Sequence, residues 1–248
     1  MTIDACAALV QRGDPDRFAA VMAAPVAARG RLFVIYAWNL EVARAPWVTS
    51  EPLIAEMRLQ FWRDVLEGPR RSHEVAGPLF DIRDSLPLEV MDRMVAARMW
   101  DVGRSAHTDL DAYLEDTGAG LMWAAACALG APDDAEPVAR GVGWAAGLAN
   151  YLRAVPELEA RGRVPLLDGR AEGVRALAQR GLDRLAQARV LRRAVPRHAA
   201  PALLAGWQAR GLLAQVVRDP LVVVEGRMGV SEASRRGRLL WQAVTGRW

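Results

Sequence analysis

The chain contains no lysine. All 32 of its basic residues are arginine, set against 29 acidic ones, and the net charge of +3 is small. A mildly basic surface of this kind can meet phosphate, diphosphate or anionic lipid without demanding any of them, and nothing in it points to nucleic acid. Arginine in place of lysine, with abundant alanine, is the compositional mark of a GC-rich bacterial genome. Only two cysteines are present, Cys6 and Cys127, with neither metal-ligand spacing nor a disulfide framework. Cys127 lies in an apolar run and is expected to be a buried small hydrophobe. The three histidines, His73, His107 and His198, are scattered, and each is expected at the surface or at a cap. There is no Ser or Cys nucleophile motif, no phosphate-binding glycine loop, no repeat and no low-complexity segment. No uncharged apolar stretch reaches the ~18 residues of a membrane span, and no N-terminal run resembles a signal peptide. The expected location is the cytoplasm, with a peripheral place at the inner membrane left open by the arginine clusters.

What is there is a globular composition, 52% hydrophobic over 248 residues, enough for a single domain over residues 1–248. Capping residues and prolines divide it into helices. Helices are predicted over 3–12, after the Asp14-Pro-Asp16 cap, over 26–45, 52–67, 73–85, 87–103 and 109–129, and then from near Pro137 behind an Asp133-Asp134 cap. Three more are predicted over 171–192, 199–217 and 231–244. Pro220–Glu225 has strand-like composition but is too short and isolated to imply a sheet. Six tryptophans, Trp38 and Trp144 among them, lie mostly in apolar helical stripes and read as core. In 52–67 the apolar stripe is Ile54–Phe61–Val65. Arg58 falls within it, either with its stem packed and its head snorkelling or facing a pocket. Tyr113, Thr117 and Gly120 stand at i, i+4 and i+7, which suits a helix–helix contact through small residues. Arg189, Arg192 and Arg193, with Arg235, Arg236 and Arg238, form basic clusters that fit solvated helix faces or, as the other reading, anionic lipid.

Chemistry concentrates in Gly143–Arg163. On a helix, Asn150, Arg153 and Glu157 share one face, opposite Trp144, Leu148, Tyr151, Leu152 and Val155. A polar stripe on so apolar a segment needs partners or a ligand. Pro156 is expected to bend or end the helix. Arg161 and Arg163 follow.

This string resembles the second signature of the squalene/phytoene synthase family, roughly Q-x-x-N-x-x-R-D-x-x-E-D followed by Gly-Arg. Asn150, Arg153 and Glu157 match, as does Gly162-Arg163. Gly147 stands where the Gln is expected, and Ala154 and Leu158 stand for the two aspartates. The first signature, Y-A-F-C-R-x-x-D-D-x-V-D, is matched in outline by Tyr36-Ala37-Trp38. Asn39-Leu40 replace Cys-Arg, Ala43-Arg44 replace the Asp pair, and Trp47 replaces the last Asp. Glu41 lies two positions off. The phrases NLEVAR and RLQFWRD are similar to the branch of the family that includes the mitochondrial complex I assembly factor.

The resemblance implies an all-α, isoprenoid-synthase-like helical bundle around a central cavity. The expected pocket residues are Tyr36, Asn39, Glu41, Arg44 and Arg58, with Tyr113, Asn150, Arg153, Glu157 and Arg163 from later in the chain. The family joins prenyl diphosphates and needs Mg²⁺ on two facing Asp motifs to stabilise the leaving group. With those ligands replaced, no catalytic residue, metal or cofactor is expected. The expected function is that of a non-enzymatic assembly or interaction protein at a membrane face, with a partner in respiratory complex assembly. One alternative is a Mg²⁺-dependent prenyltransferase using Glu41 and Glu157. Another is an isoprenoid or lipid carrier that keeps the apolar tunnel. Arg153 is expected to be at least half buried and paired with a carboxylate, either Glu157 or an acid from a facing helix such as Glu41.

Overall fold

A computed structural model describes residues 3–103 and 109–246. His107 lies outside them. Every regular element among the described residues is helical, as predicted. The chain begins with α1 (Ile3–Gly13), α2 (Pro15–Ala23) and α3 (Val26–Arg44). Asp14 caps α2 by accepting a hydrogen bond from the Arg17 amide at 2.9 Å, and Pro15 takes the first helical position. α3 is apolar on nearly all sides, with Leu32, Ile35, Tyr36 and Trp38 almost fully enclosed. A helix of that pattern belongs in the middle of a core.

α4 (Pro52–Glu67) and α5 (Ala76–Asp81) follow, then α6 (Leu88–Ala97), α7 (Met99–Val102) and α8 (Leu110–Leu114). α8 continues through a π-helical turn, Glu115–Ala119, into α9 (Gly120–Ala128). Gly130 then ends the segment at φ +83°, a conformation open to glycine. α10 (Glu136–Ala160) is the longest element at 25 residues. It packs against the π turn and α9 on one side and against α11 (Ala171–Val190) and α12 (Ala209–Arg218) on another. α13 (Leu221–Val224) and α14 (Glu232–Thr245) close the chain.

Glycines let α10 approach the π turn. A Cβ on Gly118 would lie 2.8 Å from the Gly143 carbonyl oxygen and 2.9 Å from Gly147 Cα. Gly120 packs instead on Met94 and Val90, so the small-residue patch is a helix contact.

Several local predictions need correction. α10 does not end at Pro156 but runs to Ala160. Pro156 lies inside the helix and forfeits the hydrogen bond to the Leu152 carbonyl, yet the helix runs on for one more turn. No side chain caps α10, and Asp133-Asp134 open a short 3₁₀ turn before it. Pro220–Glu225 holds a helical turn, not a strand-like segment. The region 73–85 is helical only in α5 and a short 3₁₀ turn, Arg83–Ser85. The buried face of α4 is Ala55, Leu59, Trp62, Val65 and Leu66, so of the predicted stripe Val65 is buried while Ile54 is 45% exposed. Arg58 therefore lies on the exposed side. Cys127 is partly buried and Cys6 fully buried, and burial raises both thiols, Cys127 to about 12 and Cys6 to about 11.

Candidate functional site

α3 and α10 contribute two walls of a cavity of about 410 Å³. Asn39, Leu40 and Ala43 come from α3, and Gly147, Asn150, Ala154 and Glu157 from α10. Tyr113, Thr117 and Leu121 complete the wall from the α8–α9 segment, and Arg98 and Asp101 from the α6–α7 corner. Ala43 and Ala154, which stand where two of the acidic ligands are expected, both line it.

The cavity floor is a buried ion cluster. Asp101 is 3% exposed and accepts a hydrogen bond from Arg98 at 3.1 Å and another from the Tyr113 hydroxyl at 3.0 Å. Burial opposes the Arg98 charge, but Tyr113 and Asp101 outweigh it and raise its affinity for the proton. Burial, then the neighbouring Asp101 carboxylate, pushes Tyr113 well above the usual phenol range despite Arg98. Tyr113 is thus a neutral hydrogen-bond donor. The Asp101 backbone carbonyl accepts a hydrogen bond from Arg163.

Arg163 is 9% exposed and lies over the rings of Trp47 and Trp100, 5.1 and 5.6 Å from their centroids. Its Nη1 has no hydrogen-bond partner among the described residues. Arg161 also lies over Trp47, at 5.1 Å, and donates to Glu157 at 2.6 Å. Trp47 stands where an aspartate is expected. Its ring face offers these two guanidinium groups a negative surface in place of a carboxylate.

The structure gathers Asn39, Tyr113, Asn150 and Glu157 in the cavity and sends other expected pocket residues elsewhere. Tyr36 is buried beside a small crevice next to Gly118 and Gly147, with its hydroxyl donating to the Ala202 carbonyl at 3.3 Å. Burial raises its phenol strongly. Glu41, Arg44 and Arg58 line a separate hollow of about 390 Å³ together with Ile54, Met57 and Phe61. Glu41 pairs there with Arg44 at 3.3 Å. Arg153 pairs with an acid from another helix, as expected, but that acid is not Glu41. Its partner is Asp16 at the start of α2, at 3.0 Å, and its side chain is 39% exposed. Asp16 also binds Arg235 of α14, so one carboxylate ties three helices. Burial works to raise Asp16, but hydrogen bonds from Arg153 and Gln208 and the charge of Arg235 hold it below the usual carboxylate range. His73 caps α5 through the amides of Val75 and Ala76 and packs edge-on to Trp62, and His198 reaches the Gly130 carbonyl.

Sequence reading did not single out Arg17, Arg98 or Asp101. The only signal for the last two was an i, i+3 acid–base pair around Trp100. Its burial depends on Tyr113 arriving from another helix.

A Mg²⁺ cluster needs several oxygen ligands free to coordinate. The carboxylates lining this cavity are Asp14, Asp101 and Glu157. Asp14 binds Arg17 at 2.6 Å, Asp101 binds Arg98, and Glu157 binds Arg161. No group of three or more His, Cys, Asp or Glu among the described residues has metal-site geometry. These residues do not fit a divalent-metal cluster.

The chain is similar over 169 residues to "NADH dehydrogenase (ubiquinone) complex I, assembly factor 6" of Homo sapiens, at 28% identity, covering 64% of this chain and 51% of that one. The Drosophila melanogaster homolog is 26% identical over 177 residues, covering 65% and 53%. The chain thus spans about half the length of the curated relatives it matches. Its fold is that of a dehydrosqualene synthase solved in complex with ligand, with a TM-score of 0.80 at 17% identity over 98% of this chain and 95% of that one. The squalene synthase HpnC from Alicyclobacillus acidocaldarius superposes with a TM-score of 0.71 at 18% identity, over 88% and 94%. The Squalene/phytoene synthase family model matches residues 10–166, across both altered signatures and the helices that carry them, and the chain belongs to that family.

Proposed function

We propose that the chain serves as an assembly or interaction protein for a respiratory NADH dehydrogenase complex, at a membrane face, and does not perform metal-dependent prenyl transfer. The observation that carries this reading is the state of the cavity carboxylates. Each is held by an arginine, and Ala43 and Ala154 supply no ligand in their place. The similarity to complex I assembly factors gives the reading its direction. The prenyltransferase alternative requires Glu41 and Glu157 to act together, but Glu41 lines a different hollow.

Deleting the gene in its native host tests the assembly role. Assembled complex I and its NADH:quinone activity should fall, and should return with the wild-type gene. Unchanged complex I would end this reading. Calorimetry with Mg²⁺ and an allylic diphosphate should show no joint binding tighter than about millimolar. Tighter binding, or release of diphosphate, would restore the enzyme reading.

A second reading is favoured by the cavity itself. Its volume falls within the ~300–1,000 Å³ usual for ligand pockets, and Leu40, Leu114 and Leu121 give it apolar walls. An isoprenoid or other lipid held there would be recovered by solvent extraction of the purified protein and identified by mass spectrometry.

A further inference from the structure

A second large groove, of about 940 Å³, lies far from that chemistry, between α14 and the turn that follows α11. Five arginines line it: Arg189, Arg192, Arg193, Arg197 and Arg210. Among the described residues lining it there is no Asp or Glu. The sequence accounts for this imbalance. From Arg184 to Arg218 the chain carries no acidic residue, and none follows Glu232. Burial and the facing Arg210 both lower the hold of Arg189 on its proton.

The opposite wall is apolar and exposed. Trp241 and Val244 of α14 line the groove while 52% and 76% exposed. Leu240, beside them on the same helix, is 66% exposed. Residues 240, 241 and 244 fall on one helical face, whereas Leu239 and Gln242 turn inward. A helix that turns apolar side chains and a tryptophan outward beside clustered arginines has the make-up of an interfacial helix.

We infer that this groove and the exposed face of α14 form a docking surface for an anionic phospholipid membrane, the arginines meeting lipid phosphates while Leu240, Trp241 and Val244 enter the headgroup–acyl boundary. The inference deepens the reading that the protein works at a membrane face and rests on it. Charge complementarity selects the occupant. Arg192, Arg193, Arg197 and Arg210 repel one another unless an anionic surface faces them, and a bilayer supplies both that charge and an apolar layer behind it. A purely soluble anion would leave the apolar wall in water.

The test is sedimentation of the full chain with phosphatidylcholine vesicles, with and without phosphatidylglycerol. Wild type should bind only the anionic vesicles and should be released by about 0.5 M salt. Each basic residue near such a surface is worth about fivefold in partitioning, so R192Q/R193Q should weaken binding about 30-fold. Trp241→Ser should weaken it separately. These side chains are exposed, and an unchanged circular dichroism spectrum keeps either loss interpretable. No binding to anionic vesicles overturns the inference, as does equal binding by wild type and R192Q/R193Q. Binding of inorganic phosphate or polyglutamate without vesicles would move the surface to a soluble anion or an acidic protein, and overturns it too. Complex I levels in the deletion strain separate the two readings: a loss there with failed vesicle binding removes this surface and leaves the assembly role.

Discussion

Arginine does opposite work in two hollows of this molecule. In the cavity between α3 and α10, each lining carboxylate is held by a guanidinium: Asp14 by Arg17, Asp101 by Arg98, Glu157 by Arg161. In the groove beside α14, five guanidinium groups gather with no acid lining it among the described residues. The first hollow has internalised its electrostatics and offers little to an incoming ion. In the second, Arg192, Arg193, Arg197 and Arg210 face no acid within the groove among the described residues. The same residue type is structural where it is matched and adhesive where it is not, and volume alone distinguishes neither.

The strongest test breaks the matched side. Asp101→Ala leaves Arg98 buried without its carboxylate and removes a partner of Tyr113. Losing one member of a buried pair costs about 3–5 kcal/mol. At ~2–4 °C per kcal/mol for a chain this size, Tm should fall by about 6–20 °C, toward the lower end because the Arg98 side chain is 20% exposed. A Tm within two degrees of wild type (~2 °C) would mean that the cluster contributes nothing to stability.

Asp16→Asn should act in the same direction but more weakly. It releases Arg153 and Arg235 together, but these groups are partly exposed and screened, so the expected loss is about 1–2 kcal/mol. Arg153→Ala should cost less than Asp16→Asn, because Arg235 keeps its carboxylate. Equal losses would show that Arg153 carries the whole junction.

Acidity sharpens the same point. The Asp16 carboxyl is held below its ordinary value, so its contribution is complete above about pH 4 and disappears as pH falls through the folded-state value. The Tm difference between wild type and Asp16→Asn should be full at neutral pH and should close on acidification. A gap that widens in acid would reverse the sign and exclude Asp16 as its source.

The smallest effect belongs to the unmatched side. Arg192→Gln should leave stability within about 0.5 kcal/mol of wild type, or raise it slightly by relieving repulsion. A marked loss of Tm would make that arginine structural after all.

These expectations rest on pairings that were unevenly legible in the sequence. Prolines and glycines placed most helix boundaries, because their backbone limits act locally: Pro15 and Pro52 open helices, and Gly130 closes one. The two altered signatures placed α3 and α10 on a common cavity. The partner of Arg153 was not legible. Asp16 lies 137 residues away, and helical periodicity has no term for a contact across the bundle. The burial of Asp101 was hidden for the same reason, since Tyr113 reaches it from another helix. Local rules also misled at Pro156, where α10 continues for a turn past a residue that commonly ends a helix. The exposure of Arg58 followed from the rotation of α4, which its mixed apolar pattern did not define, whereas Glu41 lies on α3, two positions from the aspartate pair of the signature.

The glycine contact between the π turn and α10 limits what the cavity wall can carry. A Cβ at position 147, where the family pattern has glutamine, would stand 3.0 Å from Gly118 Cα. Backbone atoms cannot rotate aside as a side chain can, so a larger residue there requires two packed segments to part. The glycine seam therefore keeps larger side chains out of that part of the wall, whatever stands at positions 43 and 154.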